Sequence, residues 1–268
     1  MKDNKIKIVV LTNDGSLYGK KILNDLMYRD IEVEAVVVIK QPLSYYWKLF
    51  KYVQKQVGVV DALYFSFKRQ LHKEHMPTSW NDQDFVEHYN EFGIPILYAK
   101  GTNSEETLRA LKERSPHIII LGQTGIVRKK LLETPKIGTL NAHPGILPYY
   151  RGIDCARWAI YHNEFDKIGA SVHWVNTGVD TGNIIQTQVY DFSGDETIES
   201  LDDKLYNLCA TMLTNVVSSI IQGSNTLAET PQSQNEGQQY RKMSRKDETI
   251  VQKTLAEFLA QKISNQNI

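Results

Sequence analysis

Short runs of apolar, β-branched residues recur along the first half of the chain, and segments with helical spacing separate them. The first run, residues 6–11, ends in the turn residues 12–16. Residues 17–27 then place apolar side chains at helical intervals before a second apolar run at 33–39. Further runs lie at 94–98, 117–121 and 137–142. Strands that alternate with helices predict a doubly wound α/β fold with a mostly parallel sheet, whose ligands bind beyond the carboxyl ends of the strands.

Beyond residue 150 the alternation continues and then gives way to a polar stretch. Residues 223–237 are rich in Gln, Asn and Ser, a composition typical of linkers. Apolar residues at helical spacing return at 247–263. We therefore expect one domain over residues 1–222, followed by a polar linker and a C-terminal helical tail over 223–268. The helices and strands predicted within the second half of that domain lie at 155–161, 170–175, 183–189 and 198–221.

Residues 43–80 interrupt the alternation with a stretch rich in aromatic residues. Its apolar spacing predicts one or two amphipathic helices. Aromatic residues interleaved with basic ones also admit an element that binds nucleic acid or a membrane surface. We favour a helical insertion that faces the protein core or a dimer interface. The basic residues of the stretch include Lys48, Lys51, Lys55, Lys68 and Arg69.

Charge and cysteine content argue against several classes of protein. Lys plus Arg number 31 and Asp plus Glu number 31, which leaves no net charge to attract nucleic acid. Only Cys155 and Cys209 occur, so a disulfide framework is excluded and a reducing compartment is expected. The apolar run at 8–11 is too short for a membrane span, and residues 72–75 lack zinc-site spacing. We therefore expect a cytoplasmic protein with no metal and with neither nucleic acid nor a membrane as partner.

Two clusters of polar residues fall where predicted strands end. Asn141 and His143 are two residues apart, so their side chains leave the same face of a strand and can reach one small substrate. Asp180 lies in a loop between Gly178 and Gly182. An amide donor, an imidazole and a carboxylate suit acyl transfer to an amine, because they can stabilise an oxyanion and move a proton. Each residue alone also has a structural interpretation: an Asn that binds loop backbone, a packed His, and an Asp that forms a turn.

These two clusters resemble the motifs of a known family. Residues 141–148 read Asn-Ala-His-Pro-Gly-Ile-Leu-Pro, and residues 178–184 read Gly-Val-Asp-Thr-Gly-Asn-Ile. In this combination the chain resembles the folate-dependent formyltransferase family over about residues 1–220. The resemblance implies a Rossmann-like formyltransferase core and 10-formyltetrahydrofolate as the formyl donor, with no metal. The catalytic residues that it implies are Asn141, His143 and Asp180.

The same resemblance places the folate pocket. Counting back from Asn141 puts one wall of the pocket on four consecutive residues, and the loop before Asp180 forms the other wall. The pocket residues that it implies are Thr124, Gly125, Ile126, Val127, Thr177, Gly178 and Val179. The chain departs from the family at two places. Gly145 stands where relatives commonly carry Ser, and residues 123–125 are smaller than the usual segment.

Branches of this family transfer the formyl group to different acceptor substrates, and the domain organisation of the chain favours one branch. Methionyl-tRNA formyltransferases carry a C-terminal barrel domain and are usually basic, whereas a short tail follows the long helix here and the net charge is zero. The purine-pathway enzyme lacks an insertion like residues 43–80. The resemblance is therefore greatest to sugar N-formyltransferases, which act on the amine of a nucleotide-linked amino-dideoxysugar in lipopolysaccharide or O-antigen synthesis.

From that resemblance we expect a homodimer, with Asp14 and Arg151 as substrate contacts. Both residues also have a structural interpretation, as a turn residue and a loop anchor respectively. Two alternatives stay open. The chain could be a phosphoribosylglycinamide formyltransferase of purine synthesis, or a non-catalytic module that binds folate or a nucleotide.

Overall fold

The apolar runs of the sequence form the strands of a central sheet in the computed structural model, which describes residues 5–74, 89–223, 227–233 and 235–266. Within these residues the strands are β1 (Ile8–Asn13), β2 (Ala35–Lys40), β3 (Ile96–Lys100), β4 (Ile118–Gly122), β5 (Gly138–His143), β6 (Tyr150–Gly152), β7 (Gly169–Trp174), β8 (Ile184–Val189) and β9 (Gln238–Tyr240). The sheet has the order β3-β2-β1-β4-β5-β7-β8. Strands β1 to β5 pair in parallel, and β7 pairs antiparallel with both β5 and β8. This confirms the expected doubly wound, mostly parallel sheet.

Helices connect these strands and cover both faces of the sheet. They are α1 (Leu17–Tyr28), α2 (Leu43–Glu74), α3 (Glu105–Arg114), α4 (Lys129–Leu132), α5 (Cys155–Tyr161), α6 (Ile198–Ile221) and α7 (Arg245–Gln266). Ile8 and Val10 of β1 pack with residues of α1 and α6 on one face. Val9 and Leu11 pack with residues of α3 and α4 on the other face. A strand covered on both faces needs a continuous apolar run, which is the pattern that the sequence shows.

The C-terminal residues pack onto the domain and add to its edge. Strand β9 pairs in parallel with β6, in a second, two-stranded sheet. Thr230 exchanges backbone hydrogen bonds of 2.8 and 2.9 Å with Ile184 of β8. Val251, Leu255 and Leu259 of α7 are buried in a cluster with residues of α5 and α6. Although the composition of residues 223–237 is typical of a linker, its described part is therefore held against the sheet. The C-terminal helix predicted at 247–263 is present.

The predicted insertion forms the long helix α2. Gly58 has φ +84° and ψ 170°, which interrupts the helix and divides it into two halves. Val60, Leu63 and Phe67, which belong to the apolar spacing of the insertion, are exposed, so the first of the two alternatives, a helix that faces the protein core, is wrong for these side chains. The expectation of a dimer interface stays a prediction, and residues 75–80 of the insertion lie outside the described part of the chain. No helix in the described ranges is long and apolar enough to cross a membrane.

Candidate active site

The loops that follow β1, β4 and β5 meet at one edge of the sheet. The hydroxyl of Thr12 donates to the carbonyl oxygen of Gly122 at 2.6 Å, and the hydroxyl of Ser16 donates to the same oxygen at 3.0 Å. The phenol of Tyr18 donates to the carbonyl oxygen of Ala142 at 3.3 Å. These bonds join the ends of β1, β4 and β5. They therefore fix the positions of the residues that leave each strand.

Asp180 joins the side chains at the ends of β5 and β7. Its Oδ2 lies 3.5 Å from Nδ1 of His143, and its Oδ1 lies 3.6 Å from Nε2 of His173. The backbone N–H of Gly152 donates to Oδ2 at 2.9 Å. The Nδ2 atom of Asn141 lies 3.2 Å from Nε2 of His173. The structure thus brings Asn141, His143 and Asp180 into one connected group, although their roles stay predictions.

His143 is buried, and both of its ring nitrogens face acceptors. Its Nε2 lies 2.8 Å from the carbonyl oxygen of Tyr150. A carbonyl oxygen only accepts, so this nitrogen carries a proton and donates it. Its Nδ1 faces the carboxylate of Asp180, which also accepts. A ring with a proton on each nitrogen satisfies both partners at once.

His173 is a site residue that the sequence did not single out. It lies directly opposite Asn141 in the antiparallel pairing of β5 and β7. Its Nδ1 donates to the carbonyl oxygen of Trp174 at 2.8 Å, which leaves Nε2 to accept from the Asn141 amide. The signal in the sequence was a histidine inside the predicted strand at 170–175, two residues before its end. The register that brings it opposite Asn141 was not readable from the sequence.

The charge of Asp180 is stabilised by its surroundings. Burial raises the pKa of Asp180, but the charge of His143 and the hydrogen bond from the backbone N–H of Gly152 act in the opposite direction, and that pKa is held below its ordinary value. Asp180 also adopts the left-handed backbone conformation, with φ +52°. Gln232 holds this turn, because its Nε2 donates to the carbonyl oxygens of Asp180 and Gly182 at 2.9 and 2.6 Å. Asp180 therefore remains an ionised carboxylate at neutral pH.

The segments expected to hold folate flank one apolar cluster. Val127 is buried in that cluster, and Val175, just before the loop of Thr177, Gly178 and Val179, packs against it. Ile126 is 74% exposed, and Thr124 and Gly125 are half-buried residues. An exposed apolar side chain beside accessible loop backbone fits a flat, partly polar ring. The expected folate residues are therefore compatible with the donor, and their roles stay predictions.

Asn103 fixes one of these segments. Its Nδ2 donates to the carbonyl oxygen of Ile126 at 2.7 Å, and its Oδ1 accepts from the backbone N–H of Arg128 at 2.7 Å. One amide thus satisfies two backbone groups of an irregular loop, as buried and half-buried loops require. Asn103 was not singled out in the sequence analysis.

The two predicted substrate residues occupy different settings. Asp14 lies in the loop after β1, half-buried, at the same edge of the sheet as the candidate site. Arg151 is buried in β6, and its guanidinium donates to the carbonyl oxygens of Glu236 and Gly237 at 3.0 and 3.4 Å. Its described contacts are therefore those of a loop anchor. Its role in substrate binding stays a prediction.

The described residues offer neither a metal site nor a reactive cysteine at this position. No group of three or more His, Cys, Asp and Glu residues is arranged to hold a metal ion within them. Cys155 is buried beside the site, and burial together with the charges of Asp180 and Asp154 raises the pKa of its thiol. A thiol that stays protonated is a weak nucleophile. Cys155 therefore fills space in the core.

Comparison with known proteins gives a family match over most of the chain. Residues 6–217 match the family model described as "Formyl transferase". The methionyl-tRNA formyltransferase of Kosmotoga olearia is 30% identical over 163 residues, which are 60% of this chain and 51% of that protein. That of Syntrophus aciditrophicus is 32% identical over 47% of this chain and 40% of its own length. The chain thus spans about half the length of the curated relatives it matches.

Crystal structures of several formyltransferases share the fold. A phosphoribosylglycinamide formyltransferase from Anaplasma phagocytophilum aligns with TM-score 0.59 and 16% identity, over 89% of this chain and 100% of that one. An N-formyltransferase from Helicobacter canadensis, in complex with folinic acid and dTDP-3-aminofucose, aligns with TM-score 0.56 and 18% identity, over 90% and 72%. A sugar N-formyltransferase from Shewanella aligns with TM-score 0.54 and 11% identity, over 90% and 78%. At these identities the comparison supports the fold and leaves the acceptor open.

Proposed function

Because the chain belongs to the formyl transferase family, we propose that it moves a formyl group from 10-formyltetrahydrofolate to the amine of a nucleotide-linked amino-dideoxysugar. The observation that carries the proposal is the connected group of Asn141, His143 and Asp180 at the end of β5. It supplies an oxyanion donor, an imidazole and a carboxylate at one point of the site. These are the groups that acyl transfer to an amine requires.

The bound folate would supply a formyl group on a nitrogen that leaves once it is protonated. The amide N–H of Asn141 donates to the formyl oxygen as negative charge develops there, and the positive charge of a protonated His143, whose N–H groups face Tyr150 and Asp180, stabilises that charge from nearby. Asp180 keeps the imidazole in place through its contact with Nδ1. As an ionised carboxylate it also takes the proton that the attacking amine loses and returns it, directly or through water, toward the leaving nitrogen.

The folate donor would bind between two segments, residues 124–127 and residues 177–179. Thr124, Gly125, Ile126 and Val127 would hold one side of the pteridine ring, and Thr177 to Val179 would close the other. The exposed side chain of Ile126 offers apolar surface, and the loop backbone offers hydrogen-bonding groups. Because Asp180 follows the second wall directly, donor binding and the catalytic carboxylate are coupled through one short loop.

The C-terminal segment supports an acceptor larger than a small amine. Gly152, which donates to Asp180, pairs with Tyr240 of β9, whose ring stacks on Trp158 at 5.5 Å between centroids. Residues of this segment thus border the catalytic group with aromatic and polar surface, of the kind that nucleotide sugars contact. Asp14 and Arg151 are included as acceptor contacts. The proposal also includes a homodimer in the cytoplasm.

The test is a turnover assay with the purified full chain and 10-formyltetrahydrofolate. The acceptors are a panel of nucleotide-linked amino sugars, glycinamide ribonucleotide and methionyl-tRNA, and the products are measured by mass spectrometry and by release of tetrahydrofolate. We expect N-formyl product with an amino sugar. Asn141→Ala and His143→Ala should each lower kcat by about 10²–10³-fold. Product with glycinamide ribonucleotide alone would make this a purine-pathway enzyme. Absence of turnover with intact folate binding would make it a binding module.

A further inference from the structure

Helix α2 exposes an apolar surface that the proposed reaction does not use. Leu43 is 87% exposed, Val60 is 69% exposed and Phe67 is 64% exposed. Large apolar side chains exposed together on one helix are typical of an interaction site. The large hydrophobic side chains that α2 exposes are Leu43, Trp47, Tyr52, Val59, Val60, Leu63, Tyr64 and Phe67.

Residues 242–245, at the start of α7, bind both halves of α2 on one side, which we call the inner side. In the first half, the backbone N–H of Lys242 donates to Oε1 of Gln56 at 3.1 Å. In the second half, Asp61 accepts from the backbone N–H of Arg245 at 2.9 Å and from its Nε at 2.7 Å. Since the same segment contacts both halves, their outer sides point away from it together, despite the interruption at Gly58.

Apolar residues occupy the outer side of both halves. At about 100° per residue, Trp47 lies opposite Gln56 on the helix, and Leu63 lies opposite Asp61. Leu63 and Phe67 are one turn apart, and both are exposed. The ring of Trp47 stacks on Phe50 at 5.9 Å between centroids. The outer face therefore carries Trp47 in the first half and Leu63 and Phe67 in the second, with the polar residues Lys51, Gln54 and Ser66 between them.

The first half of the same helix carries charge of one sign. Residues 43–60 contain Lys48, Lys51 and Lys55, and they contain no Asp or Glu. All three lysines are exposed, and none of them forms an ion pair with another described residue. Lys51 Nζ lies 5.1 Å from the centroid of the Trp47 ring. Because the whole chain has no net charge, this is a local concentration of positive charge.

We propose that the outer face of α2 docks the protein on the surface of an anionic lipid bilayer. Aromatic and aliphatic side chains flanked by lysines are the composition of helices that lie in the membrane interface. Lysine ammonium groups complement lipid phosphates, and each is worth about fivefold in membrane affinity. A second copy in a parallel two-fold contact would bring the lysine groups of the two α2 helices together, whereas an antiparallel contact would not, so dimerisation through this face is one outcome of the test. Membrane docking departs from the expectation of no membrane partner, and it does not depend on the proposed reaction.

The test is sedimentation of the full chain with two kinds of vesicle. One contains phosphatidylcholine alone, and the other contains phosphatidylcholine with 30% phosphatidylglycerol, a composition chosen as roughly that of an anionic leaflet. We expect binding to the anionic vesicles only, and its loss at high salt. Exchange of Lys48, Lys51 and Lys55 for Gln should weaken binding about 100-fold. The pair Leu63→Ser and Phe67→Ser should abolish it.

Matched variants elsewhere on the surface serve as controls. Exchange of the exposed lysines Lys112, Lys136 and Lys253 for Gln and of the exposed Tyr28 for Ser should leave lipid binding unchanged. Circular dichroism checks that each variant folds. The proposal is overturned if the protein ignores anionic vesicles, or if the α2 variants bind them as well as the controls do. It is also overturned if Leu63→Ser with Phe67→Ser converts a dimer into monomers, which would show that a second copy covers the face.

Discussion

The Nε2 atom of His173 lies 3.2 Å from the Nδ2 atom of Asn141, its direct neighbour across the antiparallel pairing of β5 and β7. The same imidazole nitrogen lies 3.6 Å from Oδ1 of Asp180. His173 therefore stands between the amide and the carboxylate of the candidate site. It acts as a positioning residue, because its Nδ1 is fixed by the backbone of Trp174.

Exchange of His173 for Phe should lower kcat while leaving the acceptor KM near its original value. The amide of Asn141 loses the acceptor that orients it, and small displacements of a catalytic group cost about 10²-fold in rate. Steady-state turnover measures both constants. The control is His117→Phe at the opposite end of the sheet, which should be silent. A His173→Phe enzyme with full kcat would contradict the positioning role.

The pH dependence of stability should report on Asp180. Its lowered pKa means that the ionised carboxylate stabilises the fold above the pKa of an unfolded Asp, about 4, and that this contribution is lost as the pH falls through the folded pKa. Denaturant unfolding of the native chain and of Asp180→Asn, from pH 7 down to pH 3, measures it. The stability difference between the two proteins should shrink below pH 4. A constant difference across this range would show that Asp180 gains nothing from its partners.

Gly145 should resist even the smallest substitution. A Cβ at this position would lie 2.8 Å from Nε2 of His143 and 3.0 Å from the carbonyl oxygen of Tyr150, between the two partners of one hydrogen bond. Gly145→Ala should lower the free energy of unfolding by about 1–3 kcal/mol and lower kcat with it. Urea denaturation and turnover are the measurements. Unchanged values for both would mean that the loop relaxes without moving His143.

A substitution at Arg151 tests whether this residue anchors a loop, binds the acceptor, or does both. Removal of its guanidinium deletes two hydrogen bonds from a charged donor to the carbonyl oxygens of Glu236 and Gly237, so Arg151→Met should cost about 1–3 kcal/mol of stability. Thermal or denaturant unfolding measures this loss. Normal stability would contradict the anchoring role, and a raised acceptor KM in the same variant would support the acceptor contact that the proposed function includes.

Asn103→Ala should raise the KM for the formyl donor and leave the acceptor KM unchanged. The substitution removes both bonds that hold residues 126–128, so the wall expected to contact folate loses its fixed shape. Asn103→Asp keeps the acceptor for Arg128 N–H and should be intermediate. Initial rates at varied donor concentration measure the effect. A donor KM that does not change in either variant would remove this segment from the folate pocket.

The fold was predictable where one physical pattern determined it. Continuous apolar runs such as those in β1 and β4 arise because helices cover both faces of the sheet, and the strands lie within about two residues of their predicted bounds. Strands β6 and β9 were missed. They are three residues long and pair through backbone groups, so their polar side chains carry no periodic signal.

The candidate site was predictable in its motifs and less so in its geometry. Asn141, His143 and Asp180 could be chosen because strand ends and glycine-rich loops collect polar groups at one edge of a parallel sheet. The contribution of His173 depends on the register between β5 and β7, which no local pattern fixes. Gln232 lies in a segment with the composition of a linker, and its bonds to the Asp180 turn come from tertiary contact.

The pairing of β9 with β6 determines when, during synthesis, the candidate site can assemble. Ribosomes make the chain from its N-terminus, so Asn141, His143 and Asp180, the residues proposed as catalytic, emerge well before residues 232–240. Until those residues arrive, the turn of Asp180 lacks the amide of Gln232, and the strand that presents Gly152 lacks its neighbour. A chain released before residue 232 would therefore contain Asn141, His143 and Asp180 but lack Gln232 and β9, which hold the backbone around them.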